Sequence, residues 1–518
     1  MANRAGARVP ERMQRATSEQ SAFDWVADTA RNNPIASFAF GAISHSLASL
    51  PCHLMEDAIE RGDIDAVHSL LLAAGDRALP PLILHRCAML GHVDLARWLL
   101  AERHVREVDE PDTAHRNASA LHVAARLGNR EMVEVLLDHG ADPDGSGAKA
   151  SSETPLALAS QHDEADVVAL LLARFADVNR SYAGGRTALH AAAKGDAHHV
   201  VPLLLAARAA LDREDERGYT ALHRACVFDS LLVARQLVRS EADVHRTAPR
   251  GVTAVHLAVS TGNLQLVQLL LDAEADPSAP DVDTETPLHD AVELGSVELV
   301  QLLLEYGATA CFCPSDTVMG PLHVAAFHNR VDIARLLEHK APIDAPNAHG
   351  NTALVLAAAN GHLELARELI QTHGADVNYS ASTVDGTALN RAAKRGQAAL
   401  VESLLELQAS PETRDGEGRT PLALAILNRH QHVVELLLQH RAQPNIDTRA
   451  WSASLFSEAS TLSAVTKREA ILRLLIDHGL LRSDLQPPTS ASRLPYGIAA
   501  ILADYGTSGP RASSNMLT

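Results

Sequence analysis

A tetrapeptide recurs through most of this 518-residue chain at intervals of about 33 residues, and a period of that length confines the fold to a stack of similar units. Its copies stand as Ser119-Ala-Leu-His122, Thr154-Pro-Leu-Ala157, Thr187-Ala-Leu-His190, Thr220-Ala-Leu-His223, Thr253-Ala-Val-His256, Thr286-Pro-Leu-His289, Gly320-Pro-Leu-His323, Thr352-Ala-Leu-Val355, Thr387-Ala-Leu-Asn390 and Thr420-Pro-Leu-Ala423. After most copies comes a small pair such as Ala124-Ala125 or Ala357-Ala358, then Gly or a polar substitute. A leucine-rich run such as Val135-Leu136-Leu137 and a Gly-Ala-Asp-like turn complete the unit. A unit this small cannot bury its hydrophobic face alone, so each copy must lean on its neighbours.

Each position has a physical task. The Thr hydroxyl can accept a bond from the free amides at the start of a helix, and Pro at the next position loses no helical bond there. Leu enters the core, and the Ala-Ala pairs let helices approach closely. Gly128, Gly262, Gly295 and Gly361 permit a sharp turn into a second helix, which buries its leucine face. Gly140-Ala-Asp142 and Gly374-Ala-Asp376 close that second helix and turn the chain into a hairpin before the next copy.

This pattern resembles the ankyrin repeat family. The resemblance covers roughly Leu54 to Asn445, with two worn copies ahead of the ten clear ones, Met55 to Gly62-Asp63 and Leu84 to Gly91-His92, giving about twelve repeats. It implies an all-α ankyrin-repeat solenoid of stacked helix-turn-helix units with short hairpin loops. The expected organisation is an N-terminal flank over 1–49 carrying a capping helix, the array over 50–445, a degenerate capping repeat over 446–506 and a disordered tail over 507–518.

Composition narrows the function. The chain is 46% hydrophobic but only 3% aromatic, so its core is built from Leu, Val and Ala. A formal charge of -19 argues against nucleic acid as the main ligand and suits a basic partner surface. Five scattered cysteines form no disulfide framework, which favours a reducing intracellular compartment, cytoplasm or nucleus. Arg4, Arg8, Arg12 and Arg15 leave no apolar core for a signal peptide in the opening residues. The charge-free stretch Asn32 to Met55 is long enough for a membrane helix, yet its prolines and serines favour a helix capping the first repeat.

Recognisable catalytic chemistry is absent. The sequence carries no phosphate loop, kinase signature, Gly-x-Ser-x-Gly elbow or His-Glu-x-x-His pair, and neither flank has room for an ordinary enzyme domain. No cofactor is expected. His122, His190, His223, His256, His289 and His323 occupy one motif position, and the resemblance implies that their rings hydrogen-bond within and between repeats. Cys311-Phe-Cys313 lacks the second ligand pair that zinc needs, so no metal site is expected.

What remains is binding. The resemblance places partner contacts just before each motif Thr and at the seventh and eighth residues after it, on a concave face. Those offsets select Tyr219, Val227, Phe228, Val252, Glu285, Glu293, Leu294, Met319 and Phe327 as exposed contacts in the middle of the array. Glu216 and Asp283 make this groove acidic as well as apolar, while Arg116, Arg126, Arg186, Lys194, Lys394, Arg395 and Arg419 lie toward the ends. The expected function is a monomeric, non-enzymatic scaffold or adaptor for a protein partner. The alternatives are a substrate-recruiting subunit of a ubiquitin ligase, or a regulatory subunit of an enzyme or transcription factor.

Overall fold

The computed structural model describes residues 50–478 apart from 75–78, 106, 113–116, 146–152, 311–318, 338–339, 381–385 and 444–461. Among the described residues there are helices and no strands beyond isolated bridges. Twelve helix pairs follow one another along the chain. The first five are α1 (Leu50–Arg61) with α2 (Ile64–Ala74), α3 (Ile83–Leu90) with α4 (Val93–Ala101), α5 (Ala120–Arg126) with α6 (Arg130–Asp138), α7 (Pro155–Gln161) with α8 (Ala165–Ala173), and α9 (Ala188–Gly195) with α10 (Val201–Ala206). The middle four are α11 (Ala221–Val227) with α12 (Leu231–Arg239), α13 (Ala254–Thr261) with α14 (Leu264–Asp272), α15 (Pro287–Leu294) with α16 (Val297–Glu305), and α17 (Pro321–Phe327) with α18 (Val331–Leu336). The last three are α19 (Ala353–Asn360) with α20 (Leu363–Gln371), α21 (Ala388–Arg395) with α22 (Ala398–Glu406), and α23 (Pro421–Leu427) with α24 (Gln431–Gln439). A longer helix, α25 (Leu462–Asp477), packs on α24 through a face that buries Ile471, Leu472 and Leu475. The rest of the capping repeat and both chain ends fall outside the described residues.

First helices pack on first helices and second helices on second helices, so the units form two layers sharing one continuous core. The small pairs explain the spacing: Ala124, Ala125, Ala192, Ala225, Ala258, Ala325, Ala357 and Ala392 are all fully buried where first helices meet. The leucine runs fill the other layer, with Leu136, Leu171, Leu204, Leu237, Leu270 and Leu303 wholly enclosed.

The motif residues hold each unit at both ends. Thr220 Oγ accepts from the His223 amide at 3.3 Å, and Pro155, Pro287, Pro321 and Pro421 stand at the first helical position. The Thr220 amide donates back to His223 Nδ1 at 3.2 Å, which leaves Nε2 to donate to the next repeat's Arg246 carbonyl at 3.0 Å. The same link joins His190 to the Tyr219 carbonyl, His256 to Glu285 and His323 to Ala345. One ring thus caps its own helix and ties its repeat to the next. Thr220→Ala removes a buried cap and one anchor of that ring, and a loss of about 1–2 kcal/mol by denaturant titration is expected. A midpoint equal to wild type would refute this role for the hydroxyl.

A second ladder runs through the hairpins. Main-chain amides of one hairpin donate to side chains of the previous one: Asp177 to Asp144 at 2.8 Å, Ala210 to Asn179 at 2.7 Å, Asp243 to Asp212 at 3.1 Å and Ser410 to Asn378 at 2.7 Å. The turn between paired helices uses left-handed backbone, with φ of +69° to +80° at Gly128, Gly262, Gly295 and Gly361. Asp163, Asp196 and Asp229 take that conformation too. Their carboxylates serve the following repeat: Asp163 accepts from the His199 and Val200 amides, Asp196 from the Val233 amide, and Asp229 from the Asn263 side chain. The polar substitution is therefore a cross-repeat bond as well as a turn.

Candidate protein-binding surface

An exposed apolar surface lies at the ends of α15 and α17 and on the hairpin before α15. Leu294, the last residue of α15, is 48% exposed, and Phe327, the last of α17, is 44% exposed. Glu293 and Glu285 are exposed beside them in sequence. The Glu285 hairpin is shaped by Asp281, whose Oδ1 accepts from the Asp283 amide at 2.8 Å and the Glu285 amide at 3.0 Å. That turn holds Val282 outward, and the Val282 amide reaches back to the Arg250 carbonyl at 2.8 Å. Arg250 pairs with Asp283, so adjacent hairpin tips are tied together. Arg330 covers the turn after α15 and donates to the Glu293 and Leu294 carbonyls. Leu294 and Phe327 therefore project from anchored backbone.

The other expected contacts divide differently. Val252 is a correction: only 4% of it is exposed and it belongs to the core. The physical reason is local. Residues Pro249–Gly251 form a short 3-10 turn closed by a bridge between Thr247 and Thr253, and the Ala248 amide bonds the Val252 carbonyl at 2.7 Å. The side chain before the motif Thr is thereby turned inward. Tyr219, Val227, Phe228 and Met319 are half-buried, and Tyr219 and Val227 pack against the core.

Tyr219 sits in a structured hairpin. Its ring meets His223 edge-on at 6.1 Å between centroids, and the Arg224 guanidinium lies 5.0 Å from its centroid. Arg224 also pairs with the buried Asp215, whose other oxygen accepts from the Arg217 amide at 2.9 Å and the Tyr219 amide at 3.0 Å. Burial alone would raise the Asp215 carboxyl, but the bonds from Arg224 and the Tyr219 amide outweigh it and hold the group below its ordinary value. Arg186 stands 5.2 Å from the Tyr182 ring centroid, and Arg419 donates to Asp415 at 2.8 Å, so two of the basic residues expected near the array ends serve the fold. Arg116 lies outside the described residues.

Among the described residues, the buried thiols and the motif histidine rings offer little reactivity. Burial pushes the Cys87 thiol up to about 12 and raises Cys226 further from the thiolate range. Cys311 and Cys313 lie outside the described residues. Burial lowers His122 and His289 to about 4, and lowers His190, His223 and His323, so these rings stay neutral at pH 7. Sequence reasoning missed Val282, whose exposed aliphatic side chain is set by the Asp281 turn, and it missed the grouping of Asp163, His198 and His199, which come from two different repeats. No helix among the described residues is long and apolar enough to cross a membrane.

A family model described as "Ankyrin repeats (3 copies)" matches six overlapping ranges, 54–146, 84–182, 156–248, 233–312, 310–381 and 380–448. The chain is 40% identical over 104 residues to "Protein fem-1 homolog A-like" of Mus musculus, covering 20% of this chain and 15% of that protein. It is 35% identical over 130 residues to "Putative E3 ubiquitin-protein ligase XBAT31" of Arabidopsis thaliana, covering 23% of this chain and 28% of that protein. The chain thus spans well under a third of either relative's length. The crystal structure of the human ASB11 ankyrin repeat domain aligns with a TM-score of 0.39 at 25% identity, covering 44% of this chain and 100% of that one.

Proposed function

This chain belongs to the ankyrin repeat family, and from that premise we propose that it is a non-enzymatic scaffold that holds a protein partner against its first-helix ends and hairpins. The observation that carries this reading is the pair of exposed apolar side chains, Leu294 and Phe327, at equivalent ends of neighbouring helices α15 and α17. Exposed apolar groups in adjoining repeats are the makings of an interface centre. Val282 adds a third, and Glu285 and Glu293 supply negative charge near them, while Asp283 is paired with Arg250. The partner that fits is a protein segment with apolar anchors flanked by Lys or Arg. Tyr219, Val227, Phe228 and Met319 contribute the edges they leave uncovered.

Leu294→Ser with Phe327→Ala is expected to weaken capture of that partner by at least about tenfold, the effect of losing hot-spot residues. The partner set is defined by affinity purification on the wild-type chain, and the melting curve of the variant is expected to match wild type. Tyr219→Ala is expected to lower the melting temperature, because its ring is packed under Arg224. Undiminished retention of every wild-type partner by the double variant would end the proposal.

A second reading, a substrate-recruiting subunit of a ubiquitin ligase, draws on the identity to the Arabidopsis protein named as a putative ligase, although the match is confined to 28% of that protein. It predicts ligase components that co-purify with the full chain and are lost when residues outside 50–445 are removed. Partners retained by the array alone favour the scaffold.

A further inference from the structure

Where α7–α8 meets α9–α10, three metal-binding side chains converge. One ligand atom from each of Asp163, His198 and His199 lies within 4.8 Å of the others. Asp163 Oδ2 stands 2.5 Å from His199 Nδ1 and 4.0 Å from His198 Nδ1, and the two imidazoles lie tilted by 37° with centroids 4.0 Å apart. In a tetrahedral zinc site, ligand atoms about 2 Å from the metal are about 3.3 Å from one another. The observed separations bracket that value, so small side-chain rotations close the set.

The carboxylate is already aimed. Asp163 has left-handed backbone, φ +59°, in the position where other repeats carry the turn glycine. Its Oδ1 accepts from the His199 amide at 3.0 Å and the Val200 amide at 3.2 Å, which leaves Oδ2 turned to the two rings. The histidines stand where neighbouring repeats begin their second helix, as at Leu231-Leu232, Leu264-Gln265 and Val297-Glu298. Here residues 198–200 form an open turn and α10 starts only at Val201, so both rings can face Asp163. His199 is 67% exposed, leaving a coordination position open to water.

The surroundings suit a cation. Glu164 and Asp166 lie one and three residues beyond Asp163 and add negative charge to this stretch. The Asp196 carbonyl lies 3.4 Å from His198 Nδ1. Imidazole and carboxylate together select zinc and its late first-row neighbours over magnesium or calcium.

We propose that Asp163, His198 and His199 form a zinc-class divalent cation site that clamps two successive repeats together. Binding needs His198 and His199 each with Nδ1 unprotonated and the ring proton carried on Nε2, so that the cation replaces both the short contact of His199 to Asp163 and the bond of His198 to the Asp196 carbonyl. Because the ligands come from two repeats, the site exists only when both are folded and docked, so the cation stabilises the folded array.

The test is titration of the metal-free full chain with Zn2+ and Co2+, read by calorimetry, Co2+ absorption and melting temperature. One equivalent is expected to bind, with a rise in melting temperature that a chelator reverses. His198→Ala with His199→Ala should weaken binding by at least about tenfold. Asp163→Asn keeps an oxygen to cap the His199 and Val200 amides and tolerates left-handed backbone, so it should lose the metal while melting normally without it. His139→Ala, at a distant surface histidine, should bind as wild type. No uptake by the wild-type chain, or equal affinity in Asp163→Asn, would overturn the site.

Discussion

Gly195→Ala is expected to break the contact between two repeats outright. Gly195 ends α9 with its backbone against α7, and a Cβ built there falls 1.8 Å from the Gln161 carbonyl oxygen and 2.8 Å from its carbonyl carbon. Both atoms are main chain, held in the last turn of a helix, so no side-chain rotation relieves the clash. The helices must separate, opening the seam that buries Ala159, Ala192 and Ala193. Overpacking against side chains costs about 1–3 kcal/mol, and a collision with fixed backbone belongs at or above the top of that range. In a stack held by nearest-neighbour contacts, weakening one interface also divides cooperative unfolding, so the single denaturation transition should split in two. Gly307→Ala is the control: its φ of +88° imposes backbone strain of about 1 kcal/mol, but nothing lies within 4 Å of the added methyl. If Gly195→Ala is no less stable than Gly307→Ala, the repeats that begin at Thr154 and Thr187 do not meet at Gly195 and Gln161.

Acid should weaken the array through its histidine ladder. His122 and His289 are held at about 4 by burial, with smaller opposing pulls from carbonyls and acids. Each Nδ1 already accepts from the Ser119 or Thr286 amide at 3.0 Å, so a proton placed there would break the cap. In the unfolded chain the same rings have pKa values of about 6.5. The folded value is the lower one, so the stabilisation is complete above about pH 6.5 and is lost as the pH falls toward 4, where the unfolded chain binds protons that the folded chain refuses. Linkage gives about 2 kcal/mol of lost stability per ring at pH 5, or about 4 kcal/mol for the two. His190, His223 and His323 shift in the same direction and add to it. The array supplies its own comparison in Thr387 and Asn390, where the amide oxygen accepts from the Thr387 amide at 3.1 Å and the amide nitrogen donates to the Arg419 carbonyl at 3.3 Å. His122→Asn with His289→Asn should therefore keep the cap on the Ser119 and Thr286 amides and flatten the stability profile between pH 7 and 5. A wild-type slope in that double variant would show that other groups govern the acid response.

The repeat was legible because its tasks are local. A Thr before Pro-Leu or Ala-Leu caps a helix whatever surrounds it, Gly128 or Gly262 turns left-handed at no steric cost, and a three-residue offset is enough to put the His223 ring on the Thr220 amide. Tandem repetition then made the array legible as well, since each unit has the same neighbours.

The sequence by itself determined that this chain is a stack of helix pairs, which residues cap and turn them, and that its core is aliphatic. Tertiary structure alone decided which side chains a partner can reach. Val252 stands one residue before its motif Thr and Leu294 eight residues after its own, yet a 3-10 turn folds the first into the core while the second ends a helix in solvent. Tyr219 looked like a free anchor, but Arg224, nearby in sequence, covers it because the buried Asp215 holds that guanidinium in place. Asp163 and the His198-His199 pair are separated by a whole repeat, and the stacking of those repeats is what brings them together. Exposure and convergence are properties of how repeats dock, and docking depends on contacts between residues about 33 positions apart, beyond the reach of any local pattern.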